Sequence, residues 1–166
     1  MAAFDATDIR QEGFEGFFSV LALRAGLSSV PTSPGMYAVL RLTDEPPEFL
    51  RKSPASWYKR EDPTVPLERL RNEWVEEAET LYIGQAKDLL ERIGLLIEFS
   101  DAGPDKSVFH WGGRLLWQVA ESDDFQVAWM ATEPSECRPL ERVLVDGFAD
   151  AWGRMPFANL QRPAGR

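Results

Sequence analysis

Apolar positions fall into short blocks separated by proline- and glycine-rich breaks, and the period inside each block predicts an element. From Phe14 to Leu27 small and large apolar residues alternate in a way that suits a helix, and Pro31-Thr-Ser-Pro34-Gly35 breaks the chain after it. Met36 to Leu42 reads as a strand. Thr43 to about Pro66 is rich in proline and polar residues and predicts an excursion or loop, followed by helical character over Leu67 to Ala78. Thr80-Leu-Tyr-Ile83 is a second short strand, ended by Gly84. In the stretch Ala86 to Phe99, Leu89, Leu90, Ile93, Leu96 and Ile97 recur at spacings of three and four, the signature of a helix with one apolar face. Ser100 to Ser107 is a loop, and Leu115 to Val119 is helical. Phe125 to Ala131, rich in Val, Trp and Phe, is a strand. Pro139 to Trp152 carries a helical stripe of Leu140, Val143, Leu144, Gly147 and Phe148, and Pro156 and Pro163 hold the tail extended.

These elements predict one compact α+β unit, and 166 residues suit a single domain. With 44% hydrophobic and 27% charged residues the chain is of ordinary globular composition, so disorder, collagen and coiled coil are excluded for the whole. No run approaches the roughly 18 apolar residues of a membrane span. Acids near the start, where a secretory signal carries positive charge, predict a cytoplasmic location, and the single cysteine, Cys137, agrees with a reducing compartment. Charge narrows the picture further. Eighteen Lys and Arg stand against 27 Asp and Glu, a formal net charge of −9, which excludes a uniformly basic nucleic-acid binder. The acidity is concentrated at Glu73–Glu79 and Glu121–Glu136, whereas residues 137–166 carry a net +2 and Arg51 to Arg60 holds four cations and no acid.

Five short features follow one another in order: Gly35-Met36-Tyr37 on the first strand, Tyr82-Ile83-Gly84 on the second, Arg92 on the following helix, Glu141 on the last helix, and Asn159 in Pro156-Phe-Ala-Asn159. Tyr82 and Arg92 are ten residues apart, within Leu-Tyr-Ile-Gly-Gln-Ala-Lys-Asp-Leu-Leu-Glu-Arg. In residue types, order and spacing the chain resembles the GIY-YIG nuclease superfamily over residues 35–159. That resemblance implies a small, mainly antiparallel three-stranded sheet flanked by helices. Around it would lie an N-terminal helical extension (about 10–30) and an insertion (about 43–79) between the two motif strands. It further implies metal-dependent hydrolysis of DNA phosphodiester bonds, related to restriction or defence.

Such hydrolysis needs a cation to stabilise charge on the phosphate, a group that activates water, and donors for the oxygens. A single carboxylate with water and phosphate suits Mg²⁺ or Mn²⁺, and the resemblance makes Glu141 that metal ligand. Arg92 flanks the apolar face of its helix, where its guanidinium could grip a phosphate or pair with Asp88. Tyr37 or Tyr82 would activate water, although a phenol of pKa about 10 needs a nearby cation to do so. Asn159 would contact the phosphate or orient water. Two positions depart from the pattern: Leu96 stands where some members carry a histidine, and Gln85 where others carry a lysine, with Lys87 close by. His110, the only histidine, is the candidate replacement. The tyrosines are 45 residues apart, and the added chain interleaves Arg51, Lys52, Trp57, Tyr58, Lys59 and Arg60, a mixture suited to phosphate contact and base stacking. Arg114 joins these as a nucleic-acid candidate, and Arg138, Arg142, Arg154 and Arg162 form a second possible basic surface. DNA is the expected partner, met by a homodimer or within a larger complex. The alternatives are a catalytically silent module of the same fold and a partner-dependent structure-specific repair nuclease.

Overall fold

In the computed structural model, which describes residues 3–160, strands β1 (Glu15–Ser19), β2 (Gly35–Leu40), β3 (Thr80–Ala86) and β4 (Gln126–Ala131) form one antiparallel sheet in the order β1-β4-β2-β3. Its helices are α1 (Ala6–Gln11), α2 (Val20–Ala25), α3 (Leu67–Glu73), α4 (Leu89–Phe99) and α5 (Pro134–Trp152), with tighter 3-10 turns at Trp111–Gln118 and Ser122–Asp124. The fold is α+β, a four-stranded sheet flanked by helices. No helix among the described residues is long and apolar enough to cross a membrane.

β1, the strand beyond the expected three, departs from the expectation of a helix over Phe14 to Leu27 and of a helical N-terminal extension. Gly13 and Gly16 adopt positive φ, as does Phe17 at 59°, so the first half of that stretch cannot be helical. It pairs with β4 instead, with a bulge between Gly16 and Phe18. Ser19 then caps α2, its hydroxyl accepting the Ala22 N–H at 3.0 Å. Phe14, Phe17 and Phe18 mimic helical spacing, but Gly16 is bare because the Trp129 ring lies where its Cβ would be, 2.6 Å away. At the other end, α5 begins at Pro134, five residues before the expected start. Proline suits a first helical position, and Cys137 buries that first turn against the Ala86 carbonyl. The 3-10 segment likewise starts at Trp111, earlier than Leu115.

Strand alternation divides the core in two. Met36, Ala38 and Leu40 of β2 meet Ile9, Ile83, Leu144 and Val145, so α1 and α5 cover one face. Tyr37 and Val39 point the other way, into a larger cluster with α2, α4 and the 3-10 segment. The insertion belongs to this second layer. Val65, Leu70 and Trp74 are buried in it, and each such side chain contributes roughly 1.5–3 kcal/mol, enough to dock the segment rather than leave it as a solvated loop. Buried Gln118 fastens it, accepting the Val65 N–H at 2.7 Å and donating to the carbonyls of Leu50 and Val65. Ser56 fastens its middle to the loop after α4 through Lys106 and Val108.

β2 can lie this close to both neighbours only because Gly35 has no side chain: a Cβ there would stand 2.1 Å from the Met130 carbonyl oxygen of β4 and 2.9 Å from Leu89. Backbone cannot retreat as a side chain can. Gly35→Ala is therefore expected to cost about 3 kcal/mol or more in urea denaturation, and a loss under about 1 kcal/mol would contradict the packing.

Candidate active site

The antiparallel register sets Tyr37 opposite Gly84 and Val39 opposite Tyr82, which puts both tyrosines on the α4 face of the sheet. Gly84 is the reason their rings can meet. A Cβ at that position would lie 2.7–2.9 Å from the Tyr37 ring and hydroxyl, so the phenol rests directly on bare strand. The rings of Tyr37 and Tyr82 are then 5.8 Å apart, tilted by 44°.

His110 closes the group. Its Nε2 is 2.7 Å from the Tyr37 hydroxyl, and its ring is 6.0 Å from that of Tyr37 and 5.8 Å from that of Tyr82. The imidazole is fully buried, and its Nδ1 has no hydrogen-bond partner among the described residues. Gly112 and Gly113 shape the chain over it: a Cβ on Gly113 would be 2.9 Å from Nδ1, and one on Gly112 would be 3.8 Å from the Tyr82 hydroxyl. Burial, reinforced by the Arg92 charge, pushes the His110 pKa down to about 3, so the ring is neutral at pH 7.

Arg92 reaches this group from the first turn of α4. Asp88 does not pair with it. Its carboxylate caps the helix by accepting the Glu91 N–H at 3.1 Å, while the Arg92 guanidinium approaches the Phe109 carbonyl at 3.5 Å and the Phe109 ring at 5.9 Å. A half-buried guanidinium without a carboxylate partner among the described residues is a place where an anion gains charge-assisted hydrogen bonds. The two phenols respond differently to their setting. Burial raises the Tyr37 pKa well above 10, helped by Tyr82 and opposed by Arg92. Burial also raises that of Tyr82, but Tyr37 and Arg92 both pull it back. Tyr82 is 9% exposed against 0% for Tyr37, which makes it the phenol nearer to solvent.

Glu141 stands on α5, the helix of the opposite face, and reaches the site around the end of β3. Gln85 donates to its Oε2 at 2.9 Å, and its charge is felt at Tyr82. Burial raises the Glu141 pKa, opposed by Gln85 and Arg138. Oε1 makes no hydrogen bond among the described residues, and those residues contain no cluster of three or more His, Cys, Asp or Glu. One carboxylate oxygen fits a hydrated Mg²⁺ that takes its remaining ligands from water and phosphate, and does not fit a closed protein cage. Asn159 is buried and engaged with the edge of β3. Its amide accepts the Ile83 N–H at 2.9 Å and donates to the Ile83 carbonyl at 2.8 Å, holding the residue between Tyr82 and Gly84.

The insertion meets the site on one side only. Tyr58 packs on Phe109 at 4.9 Å, and Lys59 lies 5.4 Å over Tyr58, so a ladder of Lys59, Tyr58, Phe109 and Arg92 leads inward. Lys59 and Arg60 form the two-residue tip between Tyr58 and Glu61, whose backbones exchange both hydrogen bonds, and both tip residues take positive φ (49° and 66°). That conformation favours Asn or Gly, so two cations are held there against local preference. Arg51 and Lys52 are exposed, and Trp57 is half-buried and bridges to Ser107. Arg114 folds back on its own turn, donating to the Trp111 carbonyl and lying 4.8 Å over the Trp111 ring. Of the second basic surface, Arg138 and Arg142 line one groove. Arg154 is bound to the carbonyls of Asn72 and Trp74, and Arg162 lies outside the described residues. Gln85 was noted only as a departure from the family pattern, not as a partner of Glu141, and Phe109, Gly112 and Gly113 escaped the sequence reading. Of these, only Gly112-Gly113, beside the lone histidine, carried a signal.

No protein-family model matches the chain, and comparison with curated proteins and with solved structures finds no match.

The buried neutral imidazole has a measurable consequence. Its folded pKa of about 3 lies below the ordinary 6.5, so the unfolded chain binds the extra proton first as pH falls. This contribution to stability is complete above pH 6.5 and is lost at about 1.4 kcal/mol per pH unit below it. Chemical denaturation at pH 7 and pH 5 should show a drop in the unaltered protein that is smaller by about 2 kcal/mol in His110→Gln; equal drops would contradict the burial.

Proposed function

We propose that the chain is a GIY-YIG-type, metal-dependent endonuclease that hydrolyses DNA phosphodiester bonds. On this reading β2, β3 and β4 with α4 and α5 are the three-stranded core of that family, and β1 is an addition at one edge. The observation that carries the reading is the convergence of Tyr37, Tyr82, His110 and an Arg92 without a carboxylate partner at one end of the sheet. A structural role alone does not require two phenols, an imidazole and a cation to share one pocket.

The residues divide the work as follows. Arg92 binds the scissile phosphate and neutralises it. Tyr37 shares a hydrogen bond with His110 Nε2, which locks its ring and sets its oxygen to orient water. Tyr82, the more accessible phenol and the one less strongly raised, takes the proton of the attacking water once ionised. Glu141 would hold Mg²⁺, which supplies positive charge at the phosphate and adds to the field of Arg92 on Tyr82. Asn159 positions β3 and with it both residues flanking Ile83. The Lys59–Tyr58–Phe109 ladder approaches DNA beside Arg92. A restriction or defence role and a cytoplasmic location accompany this reading as the sequence suggests them.

One observation favours a second reading, a silent binding module: Asn159 is buried, with its amide turned to the Ile83 backbone through its oxygen and one N–H. The two readings separate on plasmid and branched DNA with Mg²⁺ or Mn²⁺. The nuclease nicks at least one of them, Glu141→Ala lowers the rate roughly 100-fold or more, and the rate rises about tenfold per pH unit between about 7 and 9 as the raised phenol ionises. Absence of cutting with every metal and substrate overturns the nuclease reading. Undiminished cutting by Glu141→Ala overturns the metal assignment.

A further inference from the structure

A groove of about 990 Å³ opens on the Glu141 side of the molecule, between the turn at Pro34, the end of β3 and the first half of α5. Buried Ala86 and Cys137 give it an apolar floor, Pro134 and Pro139 add apolar lining, and its charged lining consists of Lys87, Arg138 and Arg142 with no Asp or Glu among the described residues. In a chain of net charge −9 with 27 carboxylates, a groove lined by cations alone is a local reversal of sign. Lys87 and Arg138 are exposed and in no ion pair among the described residues. Arg142 has a 3.7 Å contact with Asp146 one turn on, a half-exposed pair of the kind that contributes little and yields to a phosphate. The groove is continuous with the proposed centre, because Gln85 both lines it and donates to Glu141 Oε2.

We propose that this groove receives the sugar–phosphate backbone of the cleaved strand next to the scissile phosphate, with Lys87, Arg138 and Arg142 each neutralising one phosphate. The proposal rests on the nuclease reading and gives it a track for the substrate strand on the side opposite the Lys59–Tyr58–Phe109 ladder. Charge complementarity selects a polyanion, and the groove's position against Glu141 selects a nucleic-acid backbone over an acidic peptide. The apolar floor suits sugars, and the cations around it suit phosphates spaced along a strand. None of the three cations is a family motif residue. Lys87 lies two positions beyond the Gln85 that replaces a lysine, and α5 brings the two arginines to the same groove.

Binding of a fluorescent DNA duplex of about 20 base pairs, measured by anisotropy without divalent metal over roughly 50 to 300 mM salt, tests this directly. The combined variant Lys87→Gln, Arg138→Gln, Arg142→Gln should flatten the slope of log affinity against log salt by about 0.9 for each charge removed, and each single variant by about 0.9. Arg71→Gln serves as the control, since Arg71 lines a separate depression with Glu48 and Glu76. Circular dichroism checks that each variant is folded; the single variants stand in if the combined one is not. A slope unchanged in the variants, or changed no more per charge than by Arg71→Gln, overturns the proposal. So does competition by a poly-glutamate peptide as effective as that by unlabelled DNA. Binding that behaves as proposed while no metal supports cleavage would leave the groove standing and overturn the nuclease reading alone.

Discussion

The hydrogen bond between the Tyr37 hydroxyl and His110 Nε2, buried at 2.7 Å, is the contact on which the arrangement of the site depends. Two groups that water would otherwise solvate are brought into the apolar layer, where the Tyr37 hydroxyl and His110 Nε2 satisfy each other while Nδ1 stays without a partner among the described residues. The pair demands bare backbone beneath it, which is why β3 carries Gly84, and room above it, which Gly112 and Gly113 provide. It also fixes the 3-10 segment against the sheet. Gln118 at the far end of that segment then holds the insertion, so the loop between the first two motif strands is fastened to the same layer that holds the tyrosines.

Much of this was legible in the sequence, for physical reasons that differ from element to element. α4 was visible because its apolar residues keep one helical period along one buried face, and β2 and β4 because each is a short, nearly continuous apolar run, buried on both faces. Tyr37, Tyr82 and Arg92 were placed near one another by the resemblance to the GIY-YIG superfamily, with the strand–turn–helix order linking Tyr82 to Arg92. The segment from Phe14 to Ser19 misled because its phenylalanines repeat at helical spacing, while the decisive feature, the Trp129 ring against Gly16, comes from a residue far along the chain. Asn159 was legible as a polar residue after a proline, but its pairing with Ile83 depends on the path of the tail past β3, which no local pattern encodes. His110 was a candidate for the site because it is the only histidine, but its contact with Tyr37 was not legible, since only the fold brings residues 37 and 110 together.

The acidic total and the local cations fit one scheme. A chain of −9 repels DNA at long range, so non-specific affinity is low, and productive contact has to be made through places where the sign is reversed. Such places lie on two sides of the tyrosine pair: the Lys59–Arg60 tip with Tyr58 and Phe109, and the groove of Lys87, Arg138 and Arg142. Between them stand Arg92 and Glu141, which on the proposed reading serve the phosphate and the cation that accompanies it. The Lys59 end of the strained tip and the half-buried, carboxylate-free Arg92 guanidinium are joined through the Tyr58–Phe109 stack.

The central claim is that the buried phenol pair is a hydrolytic centre, and Tyr82→Phe tests it most directly, since it removes one oxygen and keeps the ring packing. Single-turnover cleavage of plasmid DNA at saturating Mg²⁺ should fall by about 100-fold or more in the variant, with DNA affinity in the absence of metal unchanged. Cleavage within a few-fold of the unaltered protein would contradict the account.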